Sequence, residues 1–430
     1  MTSARKLALN FLYNIYFEGA FSNVLLNSIG EEVDEKDKRL IRELVYGVIE
    51  NDIYLEYIVS ELAKSPIKNQ RREILLILKM AIYQIRFLDR IPERAAIYEA
   101  VELARDYDNK YAAFVNGLLR EYIRSKDLYD KATESLSKKA LSLKYSVPSW
   151  IINYWIKSYS IHEIRDILNN MKNNSLFIRV NPIKASKDKL KKSFDKLDIE
   201  YKDMDEAFAL AIKSKGLITK TSEYKNGYFS IQDITSQRIP NIMDLKEGLR
   251  VLDLCSAPGG KSLAMAESMK DKLEIVSADI NEDRLKIIER EKKRLGIRNI
   301  KTIVNDASKF NKSLGTFDRV LLDAPCSGLG TMGKKPEIKL RLKWRNIEEI
   351  AKVQFEMLNI SKNYVKTGGL FVYSTCTISK IENEDNVVKF LSDNEDFKLE
   401  SFDDSEEGMK EFLPNEDGSQ GFFIAKMRRK

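Results

Sequence analysis

The chain has 430 residues, 43% of them hydrophobic and 32% charged, and its formal net charge is +7 at neutral pH. That length predicts two or three domains, and the composition excludes a disordered chain. With three cysteines and one histidine, a disulfide framework and a multi-histidine metal centre are both excluded, so we expect a cytoplasmic protein without a metal. We interpret His162 as an ordinary surface residue. No apolar run of about twenty residues predicts a membrane span.

Residues 1–140 predict helices throughout. Apolar residues recur there at intervals of three and four, as on one face of a helix. Three such stripes are Leu40, Leu44, Val45 and Val48; Ile74, Leu75, Leu78, Ile82 and Ile85; and Ala96, Ala100, Leu103 and Ala104. Taken by itself, this pattern predicts a small helical bundle.

Residues 141–228 differ from the helical part in composition. Pro148 and Pro182 interrupt them, and a short β-like segment runs from Ser175 to Asn181. We expect a small mixed α/β subdomain that links the two larger parts of the chain.

From residue 229 onward, short apolar segments alternate with helix-length segments. The candidate strands are 250–254, 274–279, 301–304, 319–322, 370–374 and 422–425. This alternation predicts an α/β domain with a mostly parallel sheet covered on both faces. Ligands of such sheets bind outside the carboxyl ends of the strands.

The first of these strands runs directly into a turn of small residues. The turn reads Cys255, Ser256, Ala257, Pro258, Gly259, Gly260 and Lys261. Paired glycines allow close approach of the backbone to a ligand. The turn has neither the GxxxxGK[ST] spacing of a P-loop nor a GxGxxG motif, which argues against an ordinary nicotinamide dehydrogenase.

Acidic residues follow three successive strands. Asp279, Asp306 and Asp323 stand at the ends of the second, third and fourth strands. Any one of them alone is more typical of a helix cap. Three on one crevice favour a nucleoside ligand that carries positive charge, such as S-adenosylmethionine, with a carboxylate accepting hydrogen bonds from the ribose.

Two cysteines also follow strands on this side of the sheet. Cys326 lies in Asp323-Ala324-Pro325-Cys326, and Cys376 in Ser374-Thr375-Cys376. A thiol beside a methyl donor indicates attack on C6 of cytosine, which makes C5 nucleophilic, and Asp323 is the candidate acid near N3. Strand-end dipoles, a lysine or the substrate itself remain alternative activators of the thiol.

Residues 229–430 resemble the RNA (cytosine-5) methyltransferases. The resemblance is carried by 251–261, 277–279, 305–307, 323–331, 368–377 and Glu382-Asn383-Glu384. It implies a Rossmann-like, seven-stranded class I methyltransferase domain, with Cys376 as nucleophile and Cys326 in product release. With Asp323 as the candidate acid, these are the three catalytic residues that we expect. The resemblance also implies that S-adenosylmethionine contacts Cys255, Ser256, Ala257, Pro258, Gly259, Gly260, Lys261, Asp279, Asp306 and Asp323.

Residues 1–140 resemble the all-α, RNA-binding NusB antitermination factors. The resemblance is carried by 44–48, Ile91-Pro92 and 114–120. Together the two halves resemble the RsmB/Sun family of bacterial 16S rRNA methyltransferases, which implies domains at 1–140, 141–228 and 229–430 and an RNA partner. We expect the protein to be a monomer. A transfer-RNA cytosine-5 methyltransferase and a non-catalytic RNA-binding or antitermination factor remain alternatives.

A basic cluster follows Cys326 in the sequence. Its members are Lys334, Lys335, Lys339, Arg341, Lys343 and Arg345. Because the cluster adjoins a reactive sulfur, we expect it to guide the RNA backbone.

Overall fold

The computed structural model describes residues 3–63, 71–173, 175–204, 208–213, 218–403 and 405–430. The chain divides into two compact units. The first, here called the helical unit, comprises Met1–Leu168 together with Lys335–Leu342. The second, the sheet unit, comprises Asn169–Lys334 and Lys343–Lys430. Across the described ranges, no helix combines the length and the apolar character needed to cross a bilayer.

The described part of residues 1–140 is helical, as the apolar stripes predict. The helices are α1 (Ala4–Phe17), α2 (Ser22–Asn27), α3 (Glu35–Glu50), α4 (Asp52–Leu62), α5 (Arg72–Phe87), α6 (Glu93–Arg105), α7 (Asn109–Lys131) and α8 (Lys138–Tyr145). Next come α9 (Ser149–Trp155) and α10 (Ile161–Asn170). The stripes of α3 and α5 meet in one core, where Leu44, Val48 and Ile77 are fully buried. Burial of these faces holds the bundle together.

The segment Lys335–Leu342 belongs to the helical unit although it follows the Cys326 motif. The ammonium of Lys339 donates to the carbonyls of Glu50 and Tyr145, at 3.1 and 3.2 Å. The guanidinium of Arg341 donates to the carbonyl of Ala20. Glu50 and Tyr145 end α3 and α8, where carbonyl groups lack partners within the helix. Two members of the basic cluster are therefore used to cap main-chain carbonyls of the helical unit.

The sheet unit begins with a small antiparallel sheet. Its strands are β1 (Leu176–Val180), β2 (Tyr201–Asp203), β3 (Ala209–Ile212) and β4 (Phe229–Ile231), in the order β2-β3-β1-β4. The accompanying helices are α11 (Lys187–Lys196), α12 (Ser222–Lys225) and α13 (Ile239–Ile242). Phe194 and Phe229 form the core of this part. The mixed α/β character predicted for this stretch is confirmed.

The larger sheet carries the motifs of the second half. Its strands are β5 (Arg250–Leu254), β6 (Glu274–Asp279), β7 (Ile300–Val304), β8 (Phe317–Asp323), β9 (Val365–Thr375), β10 (Phe397–Leu399), β11 (Met409–Phe412) and β12 (Phe422–Arg429). The helices between them are α14 (Gly260–Ser268), α15 (Glu282–Leu295), α16 (Glu337–Arg341, in the helical unit), α17 (Trp344–Ser361) and α18 (Glu384–Asp393).

The strand order of this sheet places the site. Strands pair in the order β10-β12-β9-β8-β5-β6-β7, with β11 added beside β12. Strands β5 to β9 are parallel and β12 is antiparallel to β9. The chain moves outward from β5 to β7 and then returns to the other side of β5 as β8. At that reversal the loops after β5 and β8 part, which opens a crevice at the carboxyl ends of the strands.

Candidate active site

The turn after β5 leaves little room for side chains. Cys255 has φ +58°, in the left-handed region, and Gly259 has φ +103°. A Cβ on Gly259 would lie 2.9 Å from Cγ1 of Ile288, so glycine is required there for space as well as conformation. A non-glycine residue in the left-handed region is uncommon and stores strain, which is typical of functional turns.

Asp279, at the end of β6, is held against this turn. Its carboxylate accepts hydrogen bonds from the N–H groups of Ala257 and Asn281, both at 3.0 Å. The side chain is 4% exposed. The next residue, Ile280, is 67% exposed. Sequence reasoning missed Ile280, although an apolar residue directly after a strand-end carboxylate was visible in the sequence.

Asp306 lies after β7 and forms local contacts. Its carboxylate accepts from the N–H and hydroxyl of Ser308, at 3.0 and 2.6 Å, and pairs with the ammonium of Lys309 at 3.1 Å. These hydrogen bonds and the neighbouring ammonium lower its pKa. The contacts are those of a turn-capping aspartate.

Asp323, at the end of β8, lies beside Lys261. Its Oδ2 is 2.6 Å from the Nζ of Lys261, and its Oδ1 accepts from the hydroxyl of Ser374 at 2.8 Å. Burial acts to lower the pKa of Lys261, but the carboxylate of Asp323 and negative charge at Cys376 outweigh it, so the pKa is raised. Lys261 is therefore a fixed cation that interacts with both Asp323 and Cys376.

The two cysteines predicted to be catalytic are neighbours in space. The Sγ atoms of Cys326 and Cys376 are 3.2 Å apart. The hydrogen bond to Cys376 raises the pKa of Cys326 well above its usual value, and burial adds to this. Burial and the carboxylates of Asp279 and Asp323 raise the pKa of the third thiol, Cys255, to about 12. Cys255 is therefore protonated at neutral pH.

Asp253, inside β5, is a buried carboxyl group that the sequence analysis did not single out. It is 0% exposed and accepts a hydrogen bond from the hydroxyl of Ser262. Its Oδ1 is buried and has no hydrogen-bond partner within the described ranges. Burial raises its pKa to about 7, against the opposing effect of Ser262. An acidic residue in the middle of an apolar strand was the available signal.

The geometry brings together most of the residues that the sequence singled out. Around the reversal point it assembles the turn 255–261, Asp279, Asp323 and the two thiols Cys326 and Cys376. This sheet order, with its antiparallel β12, and these strand-end residues define a class I methyltransferase.

Comparisons with known proteins identify the family. Residues 240–428 match the family described as 16S rRNA methyltransferase RsmB/F, and residues 2–124 match the NusB family. The chain is 34% identical to the probable ribosomal RNA small subunit methyltransferase B of Bacillus subtilis (strain 168), over 100% of this chain and 99% of that one. The chain belongs to this family of bacterial 16S rRNA methyltransferases.

Two further comparisons cover nearly the whole chain. Ribosomal RNA small subunit methyltransferase B of Escherichia coli (strain K12) is 28% identical, over 99% of this chain and 98% of that one. Among solved structures, PH0851 has 26% sequence identity and a TM-score of 0.80, over 98% of this chain and 97% of that one. The predicted fold class is confirmed, with a NusB-family region preceding the methyltransferase sheet.

Proposed function

We propose that this rRNA methyltransferase modifies C5 of one cytosine in 16S rRNA, using S-adenosylmethionine and a covalent bond between Cys376 and C6. The observation that carries the proposal is the 3.2 Å separation of the Cys326 and Cys376 sulfur atoms. Two thiols at the ends of different strands can divide attack and release between them.

The residues at the strand ends fit S-adenosylmethionine, which supplies an electrophilic methyl group when bound. The buried Oγ of Ser256, like the Oδ1 of Asp253, has no partner within the described ranges. Both oxygen atoms are therefore available for a hydrogen bond to a ligand at the turn. The exposed face of Ile280 offers an apolar surface for a base, and the nearby carboxylates complement a positively charged ligand. We assign the cofactor to Cys255, Ser256, Ala257, Pro258, Gly259, Gly260, Lys261, Asp279, Asp306 and Asp323.

Cys376 begins the proposed reaction on the cytosine. Its thiolate forms a bond to C6, and the electron pair of the C5=C6 double bond moves to C5. With S-adenosylmethionine bound, C5 would then take the methyl group as the bond from that carbon to the sulfonium sulfur breaks, which leaves the sulfur as a neutral thioether. Lys261 stabilises the thiolate electrostatically, and the Lys261–Asp323 pair is proposed to give a proton to N3 during attack and to take it back when Cys376 is expelled. Of the three activators left open by the sequence, the ion pair favours the lysine.

Cys326 completes the reaction as a base. While Cys376 is a thiolate, its hydrogen bond keeps the proton on Cys326. Once the Cys376 sulfur is bonded to C6, that cause of the raised pKa is gone, so Cys326 releases its own proton to solvent and the resulting thiolate accepts the proton from C5. The electron pair of the C5–H bond then restores C5=C6 and expels Cys376 as a thiolate.

Two single substitutions test these assignments. Cys376→Ala is expected to abolish methyl transfer to RNA, because no nucleophile remains to activate C5. Cys326→Ala is expected to form the covalent bond and to accumulate it as an RNA–protein adduct on denaturing gels. Full activity of Cys376→Ala, measured by transfer of tritiated methyl groups to rRNA, would refute the proposal.

The substrate is tested separately. Bisulfite sequencing of 16S rRNA and of tRNA, from cells with and without the gene, locates the cytosine that loses its methyl group. Loss in 16S rRNA is expected, whereas loss confined to tRNA would establish the transfer-RNA alternative.

We propose that the domain at 1–140 binds this RNA, that 141–228 links it to the catalytic domain at 229–430, and that the enzyme acts as a monomer.

A further inference from the structure

The dipeptide Glu382-Asn383 lies between the two cysteine loops and contacts both. Glu382 and Asn383 are both 0% exposed. They precede α18, which starts at Glu384. Side chains buried this deeply need partners for their polar atoms, and here the partners include residues next to the two thiols.

Glu382 holds the loop that carries Cys326. Its Oε2 accepts from the N–H of Ser327 at 2.8 Å, and its Oε1 accepts from the Ser327 hydroxyl. Gln354, on α17, joins the same loop from the other side. Its Nε2 donates to the carbonyl of Pro325 at 2.9 Å and to Oε2 of Glu382 at 3.1 Å. The residues before and after Cys326 are thus both fixed.

Asn383 holds the loop that carries Cys376. Its Oδ1 accepts from the hydroxyl of Thr375 at 2.6 Å, and its Nδ2 donates to the carbonyl of Thr377 at 3.0 Å. Both residues that flank Cys376 are therefore bound to one amide group. Because the amide uses a donor and an acceptor together, no carboxylate or apolar side chain can replace it.

The two loops are also joined directly. The hydroxyl oxygens of Ser327 and Thr377 are 2.7 Å apart, and the N–H of Leu329 donates to the Thr377 hydroxyl at 3.2 Å. Since the Ser327 hydroxyl donates to Glu382, the Thr377 hydroxyl donates to Ser327. A continuous chain of hydrogen bonds therefore runs from the residue after Cys376, through the residue after Cys326, to Glu382.

We propose that Glu382 and Asn383 are positioning residues that separately fix the two thiols, Glu382 for product release by Cys326 and Asn383 for attack by Cys376. The proposal rests on the proposed function of the two cysteines. Catalytic side chains held by a second layer of hydrogen bonds lose rate when that layer is disturbed, because small displacements misalign the reacting atoms.

Opposite kinetic effects test the proposal in the full-length enzyme, with 16S rRNA transcript and S-adenosylmethionine. Glu382→Gln replaces one accepting carboxylate oxygen by an NH2 group, which faces the donors of Ser327 and Gln354 and cannot accept from them. Product release is therefore expected to slow about ten- to hundredfold, while adduct formation persists. Asn383→Ala frees the Cys376 loop, so adduct formation is expected to slow by a similar factor without accumulation of adduct.

Matched variants separate positioning from simple loss of stability. Asn394, at the other end of α18, is also buried, and its amide donates to the carbonyl of Phe390 at 2.7 Å. Asn394→Ala removes that buried amide far along the helix from the cysteine loops and is expected to leave the ratio of adduct to product unchanged. Thr377→Ser keeps the hydroxyl and is expected to retain the ratio, whereas Thr377→Val removes the hydroxyl at constant shape and is expected to raise it.

The assays separate failure of the positioning roles from failure of the cysteine assignments. Equal slowing of attack and release in both Glu382→Gln and Asn383→Ala, or no change in either, would overturn the positioning roles. Methyl transfer by Cys376→Ala, or lack of adduct in Cys326→Ala, would instead overturn the assignment of the thiols. The two failures are therefore distinguishable in one set of assays.

Discussion

Lys261 and Asp323 form an ion pair of 2.6 Å across the point where the strand order of the sheet reverses. Lys261 lies in the first turn of α14 and Asp323 ends β8, so the pair joins the two loops that border the crevice. Both side chains are largely buried, at 13% and 28% exposure. The pair fixes the ammonium of Lys261, whose positive charge interacts with Cys376.

Replacing Lys261 by Met is expected to shift the rising limb of the pH–rate profile to higher pH. Without the ammonium, the Cys376 thiolate loses electrostatic stabilisation, so a higher pH is needed to form it. Single-turnover methyl transfer between pH 6 and 9 measures the shift, and Lys261→Arg, which keeps the charge, is the control. A rising limb that does not move in Lys261→Met would show that another group stabilises the thiolate.

The fold was largely predictable because the central strands are strongly patterned. The bounds 250–254 and 274–279 coincide with β5 and β6, since buried parallel strands are apolar runs that end at turn residues. Strands β2, β3, β4, β10 and β11 were not predicted. They have only three or four residues, and β2, β10 and β11 also carry charged side chains, so their pairing depends on neighbours that are distant in sequence.

The site likewise contains residues that could be predicted from the sequence and contacts that could not. Strand-end residues such as Asp279, Asp323 and Cys376 were predictable because topology alone brings the carboxyl ends of parallel strands together. The contacts of Glu382 with Ser327 join residues 55 apart, and no periodic pattern signals them. Lys339 and Arg341 show the converse: their charge predicted phosphate binding, whereas the structure directs them to main-chain carbonyls.

The salt dependence of RNA binding can distinguish Lys339 and Arg341 from exposed members of the basic cluster such as Arg345. Arg345 is 84% exposed, and Arg345→Gln is expected to reduce the slope of log Kobs against log salt by about 1, the change for loss of one phosphate contact. Lys339→Gln is expected to leave that slope unchanged and to lower the unfolding temperature, because the carbonyls of Glu50 and Tyr145 lose their donor. Equal slopes for both variants would contradict the distinction.

A buried ion pair beside the turn 255–261 is expected to contribute to the free energy of unfolding. Arg179 on β1 and Glu267 on α14 are 5% and 1% exposed, with Nε and Oε2 2.7 Å apart. Glu267→Gln is expected to lower the free energy of unfolding by about 3–5 kcal/mol, since it leaves a buried cation without its counter-charge. The double variant Arg179→Met/Glu267→Met is expected to cost less than Glu267→Gln in urea denaturation, and a cost that is larger would contradict this.

Asp253 predicts a pH dependence of stability whose sign follows from its raised pKa. Its pKa is about 7 in the fold and about 4 in an unfolded chain, so between these values the unfolded state ionises while the folded state keeps the proton. Its contribution is therefore fully present below pH 4 and declines as the pH rises to 7, by up to about 4 kcal/mol. Asp253→Asn retains an acceptor for Ser262 but cannot ionise, so its melting temperature is expected to exceed the parent's increasingly from pH 5 to 7 and to level off above 8. A difference that stays constant across this range would show that Asp253 is ionised throughout, with its charge compensated inside the sheet.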